Sequence, residues 1–281
     1  MNEKSKNKLI DDITDSIVTR DFSVKKYYDY DGFFTYALQN RFTFRLPKDW
    51  DDPMEDFLSR LRNPKKNYEF QPVQVINNLS SITENIYAMS TIRKNNECDG
   101  MWRNFAGMDS KGRYGVLVHF SVKNIIRSIV KYIVDNKFLE YNESYLIRDQ
   151  ISKNIFVEQV KYSTDEEIAE FFKEISTLDN TKKDFNDIAI KSLLKKRKEY
   201  EYENEYRVLI RQDLLNIPKT EYLQVGYFKD SIEKVIFSPH SDECQVTNYK
   251  EFIEKNNSEF KIKIEQSILY NVEHFKKIYN L

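Results

Sequence analysis

Residues 200–210 read Tyr-Glu-Tyr-Glu-Asn-Glu-Tyr-Arg-Val-Leu-Ile, a stretch whose acidic and aromatic positions alternate before it turns apolar. Alternation of this kind marks a β-strand, because successive side chains on a strand point to opposite faces. A strand that begins here turns Glu203, Glu205 and Arg207 the same way, with successive members about 6–7 Å apart at Cα. The regular strand is expected over 205–211. C-terminal to it, further strands are expected at 222–227, 234–238 and 260–266, with helices near 243–255 and 270–279. On its N-terminal side a helix is expected over 185–198, and helices at 121–136 and 164–177 flank a strand near 156–162. The apolar run at 114–120, preceded by a turn containing Gly112, the segments 86–92 and 41–46, and a short extended piece at 24–28 supply the remaining strands. Leu9, Ile10, Ile13 and Ile17 stand at helical spacing in a first amphipathic helix, and short helices are expected after Asp31-Gly32, after Asp52-Pro53 and over 101–106.

These strands are scattered among helices with no βαβ period, so the expected fold class is α+β with a mixed or antiparallel sheet core. One domain over 1–281 is expected, with an N-terminal helix within 1–22 and a mainly helical insertion at 121–200. No repeat of 20–50 residues is present.

The composition narrows the function classes. Hydrophobic residues make up 40% of the 281, and 19 Phe and 19 Tyr supply bulky core material. A chain of this length buries roughly 75% of the surface it exposes when unfolded. Charged residues reach 32% but balance to a net charge of -1, which gives no general field for nucleic acid or membrane. Cys98 and Cys244 form no framework, and no stretch approaches the roughly 18 apolar residues of a membrane span. A cytoplasmic protein with no membrane partner is expected. With six Gly, neither GxGxxG nor GxxxxGK[ST] occurs.

Three places carry candidate chemistry. At Glu203, Glu205 and Arg207, two close carboxylates raise one another's proton affinity while the guanidinium lowers it, an arrangement that can hold one Glu ionised against a developing cation. The same triplet also reads as a surface ladder of ion pairs. Trp102, in Met101-Trp102-Arg103-Asn104-Phe105-Ala106, follows the polar loop 93–100 and could stack on a base or a nicotinamide ring; taken alone, a core role outweighs that. Asp51-Asp52-Pro53-Met54-Glu55 reads first as helix-capping chemistry and secondarily as oxygen ligands for a hard cation. His119, His240 and His274 are dispersed, and no metal site is expected. Lys195-Lys196-Arg197-Lys198 reads as a solvated helix end or as a phosphate contact.

Several boxes stand in a recognisable order: Lys26-Tyr27, FTFRLPKDWDDPME at 42–55, IYAMS at 86–90, MWRNFA at 101–106, YGVLVHFS at 114–121, VKY at 160–162 and YEYENEYRVLI at 200–210. In this order the chain resembles the bacterial family named domain of unknown function 2971 and related abortive-infection proteins. Three positions depart from the family pattern: Asp51 stands for Asn, Phe105 for Tyr and Tyr200 for Trp. The layout is also similar to ADP-ribosyltransferases, in which NAD lies between two small, split sheets.

That second resemblance implies roles. Glu205 would hold the ribose hydroxyl and stabilise an oxocarbenium-like transition state, and Glu203 would orient the acceptor beside Arg207. Lys26 or Tyr27 would contact the nucleotide, Ser90 or Thr91 would brace the cleft and Trp102 would cap it. The leading expectation is therefore an effector or toxin of phage defence that transfers ADP-ribose from NAD to a protein or nucleic-acid acceptor, or hydrolyses NAD, and travels with an antidote or sensor protein. The alternatives are a non-catalytic sensor or partner-binding module of the same setting and, more distantly, a metal-dependent nuclease on Asp51, Asp52 and Glu55.

Overall fold

A computed structural model describes residues 2–50, 52–58, 73–93, 97–107, 115–138, 144–176, 185–226, 229–256 and 262–271. The chain opens with α1 (Glu3–Ile17), β1 (Ser23–Asp29), α2 (Tyr30–Gln39) and β2 (Arg41–Arg45). α3 (Val73–Thr83), β3 (Ile86–Ile92), α4 (Asp99–Phe105), β4 (Gly115–Ser121) and α5 (Val122–Asp135) follow. The next stretch holds α6 (Ser144–Ser152), β5 (Ile155–Gln159), β6 (Lys161–Ser163), α7 (Asp165–Ser176), α8 (Phe185–Leu193) and β7 (Lys195–Arg197). A 3-10 turn over Lys198–Glu203 leads into β8 (Glu205–Arg211), and β9 (Tyr222–Gly226), β10 (Ile232–Phe237), α9 (Glu243–Asn256) and β11 (Lys263–Gln266) complete the described elements. The fold is α+β, with mixed, mostly antiparallel strand pairing, as the scattered strand pattern implies.

Two compact units form. The first takes Met1–Thr19, Thr43–Thr91 and Val130–Gln224, and the second takes Arg20–Phe42, Ile92–Ile129 and Val225–Leu281. In the first unit β8 lies between β5 and β3, and its antiparallel ladder with β5 runs from Ile155↔Ile210 to Gln159↔Tyr206. All but one of its residues are buried, which explains why the alternation at 203–207 gives way to an unbroken Val-Leu-Ile run. Ile86, Ala88, Leu193 and Leu209 form one core cluster beside it; Leu58, Leu79, Ile175 and Ala189 form another. α1 buries Leu9, Ile10 and Ile13, and the Asn2 side chain caps it by accepting the Ser5 N–H at 2.8 Å.

Three expectations need correction here. The segment 121–200 is mainly helical among its described residues but is no insertion, because β5 is a direct partner of β8 and β6 pairs in parallel with β7, Lys161↔Lys195 to Ser163↔Arg197. The helix expected to reach 198 stops at Leu193. Lys and Arg are good helix formers, but the ladder with β6 and a buried partner set for Lys196, described below, override that weak preference. The helix after Pro53 starts as a 3-10 turn, Pro53–Asp56. Two helices, α3 and α6, carry no strong sequence signal. α3 reads Val-Gln-Val-Ile-Asn-Asn-Leu-Ser-Ser-Ile-Thr, rich in residues of low helix propensity, and packing of Val75 and Leu79 holds it.

In the second unit the order is β11-β10-β4-β1. β4 pairs antiparallel with β1 over its whole length, Ser23↔Ser121 to Asp29↔Gly115. On its other side it pairs with β10, which in turn pairs in parallel with β11. The expected helix at 270–279 and the loop at 63–72 fall, apart from 270 and 271, outside the described residues, as do Asp51 and Gly112. Among the described residues no helix is long and apolar enough to cross a membrane.

Candidate functional site: a buried charge network around Glu205 and Arg207

β8 starts at Glu205, two residues later than a strand carrying all three charged positions would need. Glu203 ends the 3-10 turn, and Asn204 adopts a left-handed conformation, φ 47 ψ 54. Asn tolerates that region better than most residues, so the reversal sits where the sequence can accommodate it. Glu205 and Arg207 share one strand face, as their spacing implies; Glu203 reaches the same place from the turn instead of from the strand.

The three side chains are buried rather than a surface ladder: Glu203 is 5% exposed, Glu205 3% and Arg207 0%. Arg207 donates through Nε to Glu205 Oε1 at 2.7 Å and through Nη2 to Glu205 Oε2 at 3.1 Å. It also donates to the Glu55 carboxylate and to the Leu193 carbonyl. The Trp50 indole covers its guanidinium at 4.2 Å. Lys196 completes the set: its ammonium lies 2.6 Å from Glu203, 3.1 Å from Glu55 and 3.2 Å from Glu205. The Tyr162 hydroxyl accepts the Glu205 backbone N–H at 2.8 Å, and Ser90 on β3 donates to the Glu205 carboxylate.

Three carboxylates thus face two cations, one negative charge in excess when all are ionised. Burial pushes the Glu205 carboxyl up, but Arg207 and then Lys196, with the Ser90 hydroxyl, overcome it and hold the group at about 2. Burial also raises Glu203, and there Lys196 offsets it only in part. Burial lowers Lys196, while Glu205, Glu55 and Glu203 outweigh it and leave the ammonium more firmly protonated than usual. Burial pushes the Tyr162 phenol up to about 12, so it stays a neutral hydroxyl.

The signs set a pH dependence. A carboxyl held below its ordinary 4.5 stabilises the fold above that value and loses its contribution as pH falls to about 2. Glu203, raised, acts the opposite way and favours the folded state as it takes up its proton. Urea unfolding followed between pH 6 and 2 should show stability dropping mainly between about 4.5 and 2, and Glu205→Gln should flatten that drop. An unchanged slope in the variant would remove Glu205 as its source.

The other candidates are distributed between the units. Ser90 joins Glu205 in the first. Lys26, Tyr27 and Trp102 belong to the second. Trp102 is 0% exposed. It packs edge-on to Tyr27 at a centroid distance of 5.0 Å, and its indole N–H donates to Glu97 at 3.1 Å. Met101, Leu117 and Ile236 share its core cluster, so the indole is a core side chain. The Lys26 ammonium lies 5.8 Å from the Tyr28 ring. In the first unit the indole that covers the guanidinium is Trp50.

Asp52 and Glu55 turn to cations of the protein: Asp52 accepts from Arg197 at 3.2 Å, and Glu55 takes Arg207 and Lys196. Among the described residues no group of three or more His, Cys, Asp or Glu is arranged to hold a metal ion. Lys196 is the site member the sequence reading missed. A lysine 8% exposed in a basic run has no local signal, although the strong acidity just after it, at Glu199, Glu201, Glu203 and Glu205, hints that one cation is drawn inward.

Residues 101–208, from α4 into β8, are similar to the family described as Protein of unknown function (DUF2971). The match spans the MWRNFA, YGVLVHFS and VKY boxes and the strand that carries Glu205 and Arg207. No curated protein and no solved structure matches the chain.

Proposed function

We propose that this chain is a non-catalytic sensor or partner-binding module of a bacterial phage-defence system, and that its Glu-x-Glu-x-Arg segment is a structural core and not a reaction centre. The observation that carries this reading is the saturation of Glu205. Both carboxylate oxygens are bonded to Arg207, Lys196 also contacts one of them, Ser90 donates to the group, and the residue is 3% exposed. A carboxylate that stabilises an oxocarbenium centre must face the sugar; this one faces two cations of its own chain. The defence setting rests on the resemblance of the ordered boxes to abortive-infection proteins.

A second reading retains NAD chemistry. It is favoured by Glu205 being held ionised down to about 2, the state such catalysis needs, with the Ser90 hydroxyl bonded to it. Under that reading an acceptor protein or nucleic acid, or a sensor protein, opens the network to substrate.

Purified protein incubated with NAD, alone and with bacterial or phage lysate, separates the two. No NAD consumption and no ADP-ribosylated product is the expected result. NAD turnover by wild type that vanishes in a folded Glu205→Gln variant would overturn the binding-module reading.

A further inference from the structure

The first unit carries a cleft of about 820 Å³ that the Glu205 network does not occupy. A cleft of this size is of the order of small-ligand sites. Two lysines line it from neighbouring strands: Lys161 on β6 and Lys195 on β7 are register partners in a parallel ladder. Like charges placed opposite one another on adjacent strands repel. Neither lysine has a carboxylate within ion-pair distance among the described residues, whereas Lys153 and Lys191, which also line the cleft, are paired with Asp149 and Asp187 at 2.8 and 2.5 Å. Lys196, between Lys195 and Arg197, shows what this chain does with a lysine that it neutralises internally. Lys161 and Lys195 are left to an outside anion.

The remaining lining narrows the class of that anion. Phe171 lies under the Lys195 ammonium at 4.6 Å, and Phe156 lines the cleft as well; both rings are half-buried and offer flat apolar surface. Glu158 adds a carboxylate acceptor, while Gln159 and Asn186, also on the lining, already bond Asn204, Tyr206 and Arg211. A bare polyanion would meet Glu158 as a repulsive neighbour, but a ribose hydroxyl would donate to it. Cations, aromatic faces and a hydroxyl acceptor together fit a phosphate, a planar ring and a sugar. We infer that this cleft binds a small nucleotide, with Lys161 and Lys195 on its phosphates and Phe156 and Phe171 beside its base.

The inference deepens the binding-module reading by naming its ligand class, and it rests on that reading; the two fail separately, because NAD turnover tests the one and nucleotide binding tests the other. Calorimetric titration of the full chain with ADP, GDP, CDP and UDP, with pyrophosphate and adenosine as part-ligands, is the experiment. At least one diphosphate should bind, more weakly as salt rises, and pyrophosphate or adenosine alone should bind at least tenfold more weakly. Lys161→Ala and Lys195→Ala should each lower affinity about tenfold, the effect of losing one phosphate contact of roughly 1.4 kcal/mol. Lys161 is exposed, so its variant should keep the far-UV circular dichroism of wild type and unfold no earlier without ligand, since a like-charge contact is relieved. Binding of pyrophosphate as tight as that of ADP would reduce the cleft to a phosphate site and overturn the nucleotide assignment. No binding of any probe, or ADP binding untouched in both lysine variants, would overturn the site.

Discussion

Arg207→Ala is expected to remove about 3–5 kcal/mol of folding stability, the effect of breaking a buried ion pair from one side. Against a total of roughly 5–15 kcal/mol for a natural domain, that loss leaves the protein marginal or unfolded at 25 °C. The magnitude follows from what the guanidinium holds. It is 0% exposed, binds both oxygens of Glu205, reaches Glu55 and the Leu193 carbonyl, and lies against Trp50. Its removal leaves the buried Glu55 and Glu205 carboxylates to Lys196, at 3.1 and 3.2 Å, with the neutral Ser90 hydroxyl still on Glu205. Arg207 is the main group holding the Glu205 carboxyl down, so without it Glu205 takes up a proton more readily, and the penalty should shrink as pH falls from 7 towards 4. Arg207→Lys should recover part of the loss, because an ammonium keeps the charge but cannot bridge two carboxylates while covering an indole. Urea unfolding at several pH values measures all three effects. A penalty under about 1 kcal/mol for Arg207→Ala would mean that the network is solvated, as surface pairs are.

The second large effect belongs to the other unit. Gly115→Ala places a Cβ 2.1 Å from the Tyr28 carbonyl oxygen, 2.5 Å from the Ala106 carbonyl oxygen and 2.8 Å from the Ala106 Cβ. Two of these are backbone atoms of elements that a side-chain rotation cannot move. Gly115 opens β4 opposite Asp29 of β1, so relief requires parting that ladder or shifting the end of α4. Overpacking of a well-filled interior commonly removes 1–3 kcal/mol, and a clash with fixed backbone lies at or beyond the upper end of that range. Gly226→Ala is the control: nothing lies within 4 Å of its Cβ position, and its stability should stay within about 0.5 kcal/mol of wild type. Thermal unfolding of the two variants side by side decides the matter, and equal midpoints would refute the close approach at Gly115.

Legibility of the site followed locality. Glu205 and Arg207 sit two residues apart, and strand geometry alone puts them on one face. Glu203 joins them from the turn and not from the strand, because the left-handed Asn204 that redirects the chain cannot be told from an extended Asn by composition. Glu55 and Asp52 stood out as an acidic turn; their partners Arg207 and Arg197 lie well over a hundred positions away in sequence, and no local pattern names them. Trp50 and Trp102 show the same limit from the apolar side. Both are large aromatics beside polar turns, yet one covers a guanidinium and the other is enclosed by Tyr27, Met101 and Leu117. The 195–198 run misled because helix propensity is a weak term: strand pairing with β6 and three carboxylates outweigh it at Lys196.

The sequence by itself determined the α+β class, the location of most strands and the pairing of Glu205 with Arg207 on one strand face, since these depend on side-chain alternation and on spacings of a few residues. Tertiary structure alone decided that the acidic residues converge on Lys196, that the covering indole is Trp50, and that Lys161 and Lys195 are brought together in a cleft. Each of those outcomes joins separate elements, and which side chains meet there depends on how helices and sheets fill space, a property that no short window of sequence contains.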